Sequence, residues 1–180
     1  MPKRDAVHRR DFLKVTASAA AGAACGRGRE PWRVLTAEEG DTLAAVCDTL
    51  IPPDQDPGAA AAGAVVFIDR QLAGRERRHR RTYSDGLRAV DATARRLHGR
   101  AFTELTPETR TTLLASIERG DVPPGVWTAD EAKAFFELVL GHARMGFYGD
   151  PRHGGNRDRV SWKMLGIPDP PVRGRLHEPS

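Results

Sequence analysis

The sequence predicts an all-α body of about five helices in a single compact bundle, followed by an irregular Gly/Pro-rich C-terminal tail. Three observations point there. Apolar residues recur at helical steps of three and four through residues 34–147. Capping boxes and a Thr-Pro start punctuate those runs. No stretch alternates with period two for long enough to make a strand, and no hairpin dipeptide separates two apolar runs.

The first helix opens at Thr36-Ala-Glu-Glu39, a capping box, and its stripe is Leu43, Val46, Cys47, Leu50 and Ile51. Pro52-Pro53 stops it, and Asp54 and Asp56 read as a loop-capping pair in the turn that follows. A short, mostly buried helix through Val65, Phe67, Ile68 and Leu72 closes at Gly74. The third runs from about Arg77 to Leu97 on Tyr83, Leu87, Val90, Ala94 and Leu97, ending at His98-Gly99. Thr106-Pro107 starts the fourth, with Leu113, Leu114 and Ile117 inward and Gly120 as its stop. Thr128-Ala-Asp-Glu131, a second capping box, opens the fifth through Phe135, Phe136, Val139, Leu140 and Ala143. Residues 146–180, dense in Gly and Pro, read as a tail without regular structure. Its Phe147, Tyr148, Trp162 and Met164 would lie on something, its own helices or a partner.

Charge locates the first segment. Of 180 residues, 28 are Lys or Arg against 24 Asp or Glu, a net +4. Residues 1–24 hold five of those bases and two acids, so the rest is nearly neutral. A nucleic-acid-binding domain would be basic over a whole face, and no nucleic-acid partner is expected. The run Arg75-Glu-Arg-Arg-His-Arg-Arg81 lacks interleaved aromatics and reads as a solvated helix start or a patch for an acidic partner.

Residues 1–24 have the order of an export signal: a basic head, an uncharged Ala/Gly-rich core, and small residues at the end. Arg9-Arg10-Asp11-Phe12-Leu13-Lys14 matches the twin-arginine pattern, with the pair Arg9 and Arg10 and the apolar Phe12 and Leu13 as its signal residues; His8 stands where Ser or Thr is usual. The expectation is export through the twin-arginine (Tat) translocon as a folded protein, to the periplasm. Two ends of the signal stand side by side. Ala21-Gly22-Ala23 satisfies an A-x-A cut, whereas Gly22-Ala23-Ala24-Cys25 resembles a lipoprotein box, with Gly22 where Leu is expected. In the second case Cys25 is lipidated and attaches the protein to a membrane. An unmodified Cys25 could instead pair with Cys47 in an oxidising compartment, although Cys47 on its apolar face reads as a buried thiol.

The chain carries no evident catalytic set. Its six histidines show neither H-x-x-x-H nor H-E-x-x-H spacing, Cys-x-x-Cys-His is absent, and Gly154-Gly155-Asn156 lacks the partners of a phosphate loop. His142 follows the apolar stripe and reads as a satisfied, partly buried side chain, and His153 as a surface residue. A competing reading is a stand-alone exported protein: a lipid-anchored binding module, or an enzyme with a site around His142, Asp150 and His153.

Several stretches together resemble a known family. They are the twin-arginine start, Leu50-Ile51-Pro52 with Asp56-Pro57-Gly58-Ala59 and Gly63, Phe67-Ile68-Asp69, Tyr83 through Leu87, and Gly99 through Leu105. The most specific is Gly146-Phe147-Tyr148-Gly149-Asp150-Pro151, followed by Gly154-Gly155-Asn156, Trp162 and Leu165-Gly166-Ile167-Pro168. The chain is similar to subunit 3, the small gamma-type subunit, of gluconate 2-dehydrogenase and related flavin-dependent sugar dehydrogenases; His153 stands where an aromatic is common. The resemblance implies a non-catalytic accessory subunit that aids export, maturation and stability of a large flavoprotein. That partner is of the glucose-methanol-choline (GMC) class and holds the FAD, and a multihaem cytochrome c subunit commonly accompanies it. No cofactor, metal or catalytic residue is implied in this chain. Gly154, Gly155, Asn156 and Trp162 form the candidate partner interface, the alternative being a tail folded over its own helices.

Overall fold

The computed structural model describes residues 32–167. Among them are six α-helices and no strand: α1 Ala37–Leu50, α2 Ala64–Ala73, α3 Arg80–His98, α4 Pro107–Arg119, α5 Ala129–Tyr148 and α6 Val160–Met164. Both expected capping boxes are present. Thr36 Oγ1 accepts from Glu39 N while Glu39 returns a carboxylate to Thr36 N, and Thr128 and Glu131 repeat the exchange at α5. Thr106 caps α4 with Pro107 in its first turn, and α3 and α4 close at Gly99 and Gly120, both left-handed.

Helices α1 and α5 organise the packing: each touches the other and α2, α3 and α4. Between them lie Leu43, Val46 and Cys47 of α1, Ile68 and Leu72 of α2, Tyr83, Leu87 and Val90 of α3, Leu113 and Ile117 of α4, and Phe135, Val139 and Phe147 of α5, all buried. The Cys47 thiol, enclosed on all sides, is pushed far above its ordinary pKa by burial and then by the charge of Asp48. It is a free, buried residue. Three expectations need correcting. Leu97 lies outside the stripe that ends at Ala94 and is exposed. Leu50 and Ile51 are half-buried at the frayed end of α1. The third helix starts at Arg80, residues 77–79 forming a separate 3-10 turn, because the Arg80 guanidinium folds back to donate to Leu72 O and Ala73 O at the end of α2.

Polar bolts fasten the connections. Asp69 of α2, almost fully buried, accepts three backbone N–H bonds: from Arg33 at 2.8 Å, Val34 at 2.9 Å and Leu35 at 3.1 Å. It ties the segment entering α1 to the side of α2. Asp91 accepts from Phe102 N at 2.9 Å, and Arg110 of α4 donates to Phe102 O and Thr103 O while its guanidinium lies over the Phe102 ring. Asp48 accepts from Ala60 N at 2.8 Å. Asp54 and Asp56 hold their own turn, Asp56 N donating to Asp54 Oδ1, as expected for a loop-capping pair.

Candidate partner interface

The C-terminal segment corrects the expectation of an irregular tail. Helix α5 continues to Tyr148, so Phe147 and Tyr148 are helical, and Val160–Met164 forms α6. Five residues are too few to be helical by propensity alone. Tertiary bonds hold α6 in place. Asn156, fully buried, donates from Nδ2 to Gly149 O at 2.9 Å and accepts on Oδ1 from Ser161 N at 3.0 Å, satisfying an amide of the first turn of α6. Its own N–H donates to Gly146 O at 2.8 Å, and Arg157 N donates to Ala62 O at 2.8 Å. The segment is thus stitched to the end of α5 and to the turn before α2.

Gly155 makes that closeness possible. A Cβ built there would stand 2.0 Å from Gly146 O, so any side chain would push the two backbones apart. Gly154 is half-buried at φ +102°, over the Arg70 side chain. Trp162 is half-buried and its indole N–H donates to Tyr148 O at 3.1 Å. Of the four residues expected at an interface, Gly155 and Asn156 therefore face inward, and Trp162 bridges α6 to α5. The export-signal residues Arg9, Arg10, Phe12 and Leu13, and Cys25, lie outside the described residues.

Around this stitched core several large apolar side chains are exposed. Met145 and Tyr148, three residues apart on α5, Met164 and Leu165 at the end of α6, and Ile167 beyond it are 43–57 % exposed. The Tyr148–Trp162 bond and the Ile167 N bond to Trp162 O place the two halves of this set against one another. Beneath them Phe147 is buried, edge-on to Tyr148. The three non-glycine residues with positive φ among the described residues also fall here: Asn156, Asp158 and Arg159, at +44°, +56° and +57°. Such conformations cost on the order of 1–3 kcal/mol each and persist only where the surroundings impose them. The sequence reading missed Met145, Leu165 and Ile167 as surface residues. The signal was present in three apolar residues among the four of Met164-Leu165-Gly166-Ile167, with no polar face for water.

The other polar cluster lies inside. Tyr83 Oη and His142 Nδ1 share a hydrogen bond of 2.8 Å, both rings buried and stacked. The His79 ring stands edge-on to His142, and Glu76 pairs with Arg78 and with His79. Burial lowers the His142 pKa, Glu76 opposes this, and His79 and Arg78 reinforce it. Burial likewise raises Tyr83 well above its ordinary value. His142 is thus a satisfied interior residue. Asp150 engages its own turn instead, accepting from Arg152 N and pairing with the Arg152 guanidinium at 2.7 Å, while His153 is exposed. Asp150 and His153 share one turn, His153 N donating to Asp150 O at 3.1 Å, whereas His142 bonds to Tyr83 in the interior. Among the described residues no group of three or more His, Cys, Asp or Glu is placed to hold a metal ion. No helix among them is long and apolar enough to cross a membrane.

The described residues form a small α-helical body with an exposed apolar corner, a feature that marks interaction sites on protein surfaces. The family model described as gluconate 2-dehydrogenase subunit 3 matches residues 37–168, from the first residue of α1 to just past α6, and the chain belongs to that family. No curated protein and no solved structure matches the chain.

Proposed function

We propose that this chain is the non-catalytic small subunit of a flavin-dependent sugar or polyol dehydrogenase complex, and that it accompanies the large GMC-type flavoprotein through the twin-arginine route and stabilises it. Its membership of the gluconate 2-dehydrogenase subunit 3 family carries the reading. The intramolecular partners of His142 and Asp150 support it, because these two groups serve the architecture of the chain itself. The oxidation belongs to the large subunit with its FAD, and a cytochrome subunit with haem c takes the electrons onward. This chain contributes a docking surface and, through Arg9 and Arg10, the address.

The test is co-expression with the flavoprotein subunit of the same organism. Active flavoprotein in the periplasm should fall at least tenfold when this chain is omitted, or when Arg9→Lys and Arg10→Lys are combined. Active flavoprotein exported without the chain, or sugar oxidation by the chain alone, would refute the proposal. Mass spectrometry of the mature N-terminus distinguishes a cut after Ala23 from lipidation at Cys25.

A further inference from the structure

We infer that the α5–α6 corner is the face by which this chain grips the large flavoprotein subunit, and that the partner presents an apolar centre inside an acidic rim. The inference rests on the accessory-subunit reading above and adds the surface and its chemistry. Met145, Tyr148, Met164, Leu165 and Ile167 form the centre, and Leu97 at the far end of α3 is the one other large hydrophobic residue exposed among the described residues. Single exposed apolar side chains need no explanation, but five on two segments that Trp162 ties together, through its bonds to Tyr148 O and from Ile167 N, do.

Charge selects the partner. Residues 144–167 hold five Lys or Arg against two acids, while residues 32–143 hold fourteen bases against seventeen acids. The exposed Arg144 directly precedes the apolar set, and the exposed Arg157 and Lys163 lie between its two halves in sequence. An apolar middle within a charged border is the anatomy of a specific protein interface, and a basic border calls for an acidic one opposite. The strained backbone at Asp158 and Arg159 adds an independent observation, since strained non-glycine conformations concentrate where a surface must be held in one shape. The bolts below the corner, Asn156 to Gly149 and Ser161, keep that shape without the partner.

The experiment measures binding of the full mature chain to the purified flavoprotein subunit at low and moderate salt. Leu165→Asp and Ile167→Asp should each weaken binding at least tenfold with unchanged thermal melting, because both side chains are exposed. Lys163→Glu should weaken it less and reduce its salt dependence. Leu97→Asp, at the remote exposed leucine, should bind as the parent does. Full-strength binding by both Leu165→Asp and Ile167→Asp would overturn this surface while leaving the accessory role standing. No binding by the parent chain would overturn both. Binding of the parent to phosphatidylglycerol vesicles, with none to the flavoprotein, would assign the corner to a membrane surface and likewise overturn the inference.

Discussion

Replacing Asp69 with alanine tests how the entry to the bundle is held. The carboxylate is nearly sealed from water and accepts from three consecutive backbone amides, residues 33–35, whose own segment has no helix or strand to pair with. Hydrogen bonds to a charged group contribute about 1.5–3 kcal/mol each, and a buried donor left without a partner costs about 1–3 kcal/mol. The amides do not count equally. Water can reach those of Arg33 and Val34 once the carboxylate is gone, whereas the Leu35 bond is buried. Taking one stranded donor and two partly rehydrated ones, Asp69→Ala should destabilise the protein by about 3–5 kcal/mol. For a body of this size that is a fall in Tm of roughly 6–20 °C. Asp69→Asn should cost about half as much, since one oxygen remains to accept while the amide nitrogen faces a donor. Urea unfolding gives the free energy, and amide exchange locates it: residues 33–35 should be protected in the parent and exchange freely in Asp69→Ala. A loss below about 1 kcal/mol with those amides still protected would refute the reasoning, because the segment would then be held by something else.

Three further outcomes follow from the same geometry. Gly155→Ala should lower stability by about 2–3 kcal/mol, since the added Cβ meets the Gly146 carbonyl; an unchanged urea midpoint would show that the two backbones can separate freely. Asn156→Ala should cost about 2–3 kcal/mol by stranding the Ser161 amide and forcing alanine into a left-handed conformation, and should raise exchange in α6 before the rest of the body. The His142 pKa is lowered by burial, so the unfolded chain takes up that proton first as pH falls; its contribution to stability is complete above about pH 6.5 and declines as pH drops below that value towards the lowered folded pKa. Denaturation from pH 7.5 to 5 should show that decline, and His142→Gln should flatten it; an equal slope in the variant would assign the dependence elsewhere.

The helices were legible because their signals are local. Thr36 with Glu39, Thr128 with Glu131, and Thr106 before Pro107 each declare a helix start within four residues, and most of each stripe behind them is buried, Leu50, Ile51, Phe136 and Leu140 being half-buried. Gly86, a poor residue for the middle of a helix, becomes intelligible only in space: a Cβ there would strike the Phe135 ring of α5. Asp69 reads in sequence as an acid on an apolar helix, and its role depends on amides 34 to 36 residues away. The Gly-Gly-Asn segment depends on its surroundings in a similar way. Gly154 and Gly155 read in sequence as backbone that permits close approach, but glycine permits it toward any backbone, and at Gly155 the approach is to Gly146 of the same chain.

That inward use of the Gly-Gly-Asn segment bears on what the corner is for. Asn156 and its bonds hold α6, three residues of positive φ are tolerated beside it, and the product is an outward face made of Met164, Leu165 and Ile167. A segment serving only to cover the bundle would turn those side chains inward, since each gains about 1.5–3 kcal/mol on full burial. The fold instead accepts strain in the backbone and leaves these three apolar side chains about half exposed. A second surface closing over the corner would complete the burial that the described residues leave unfinished there.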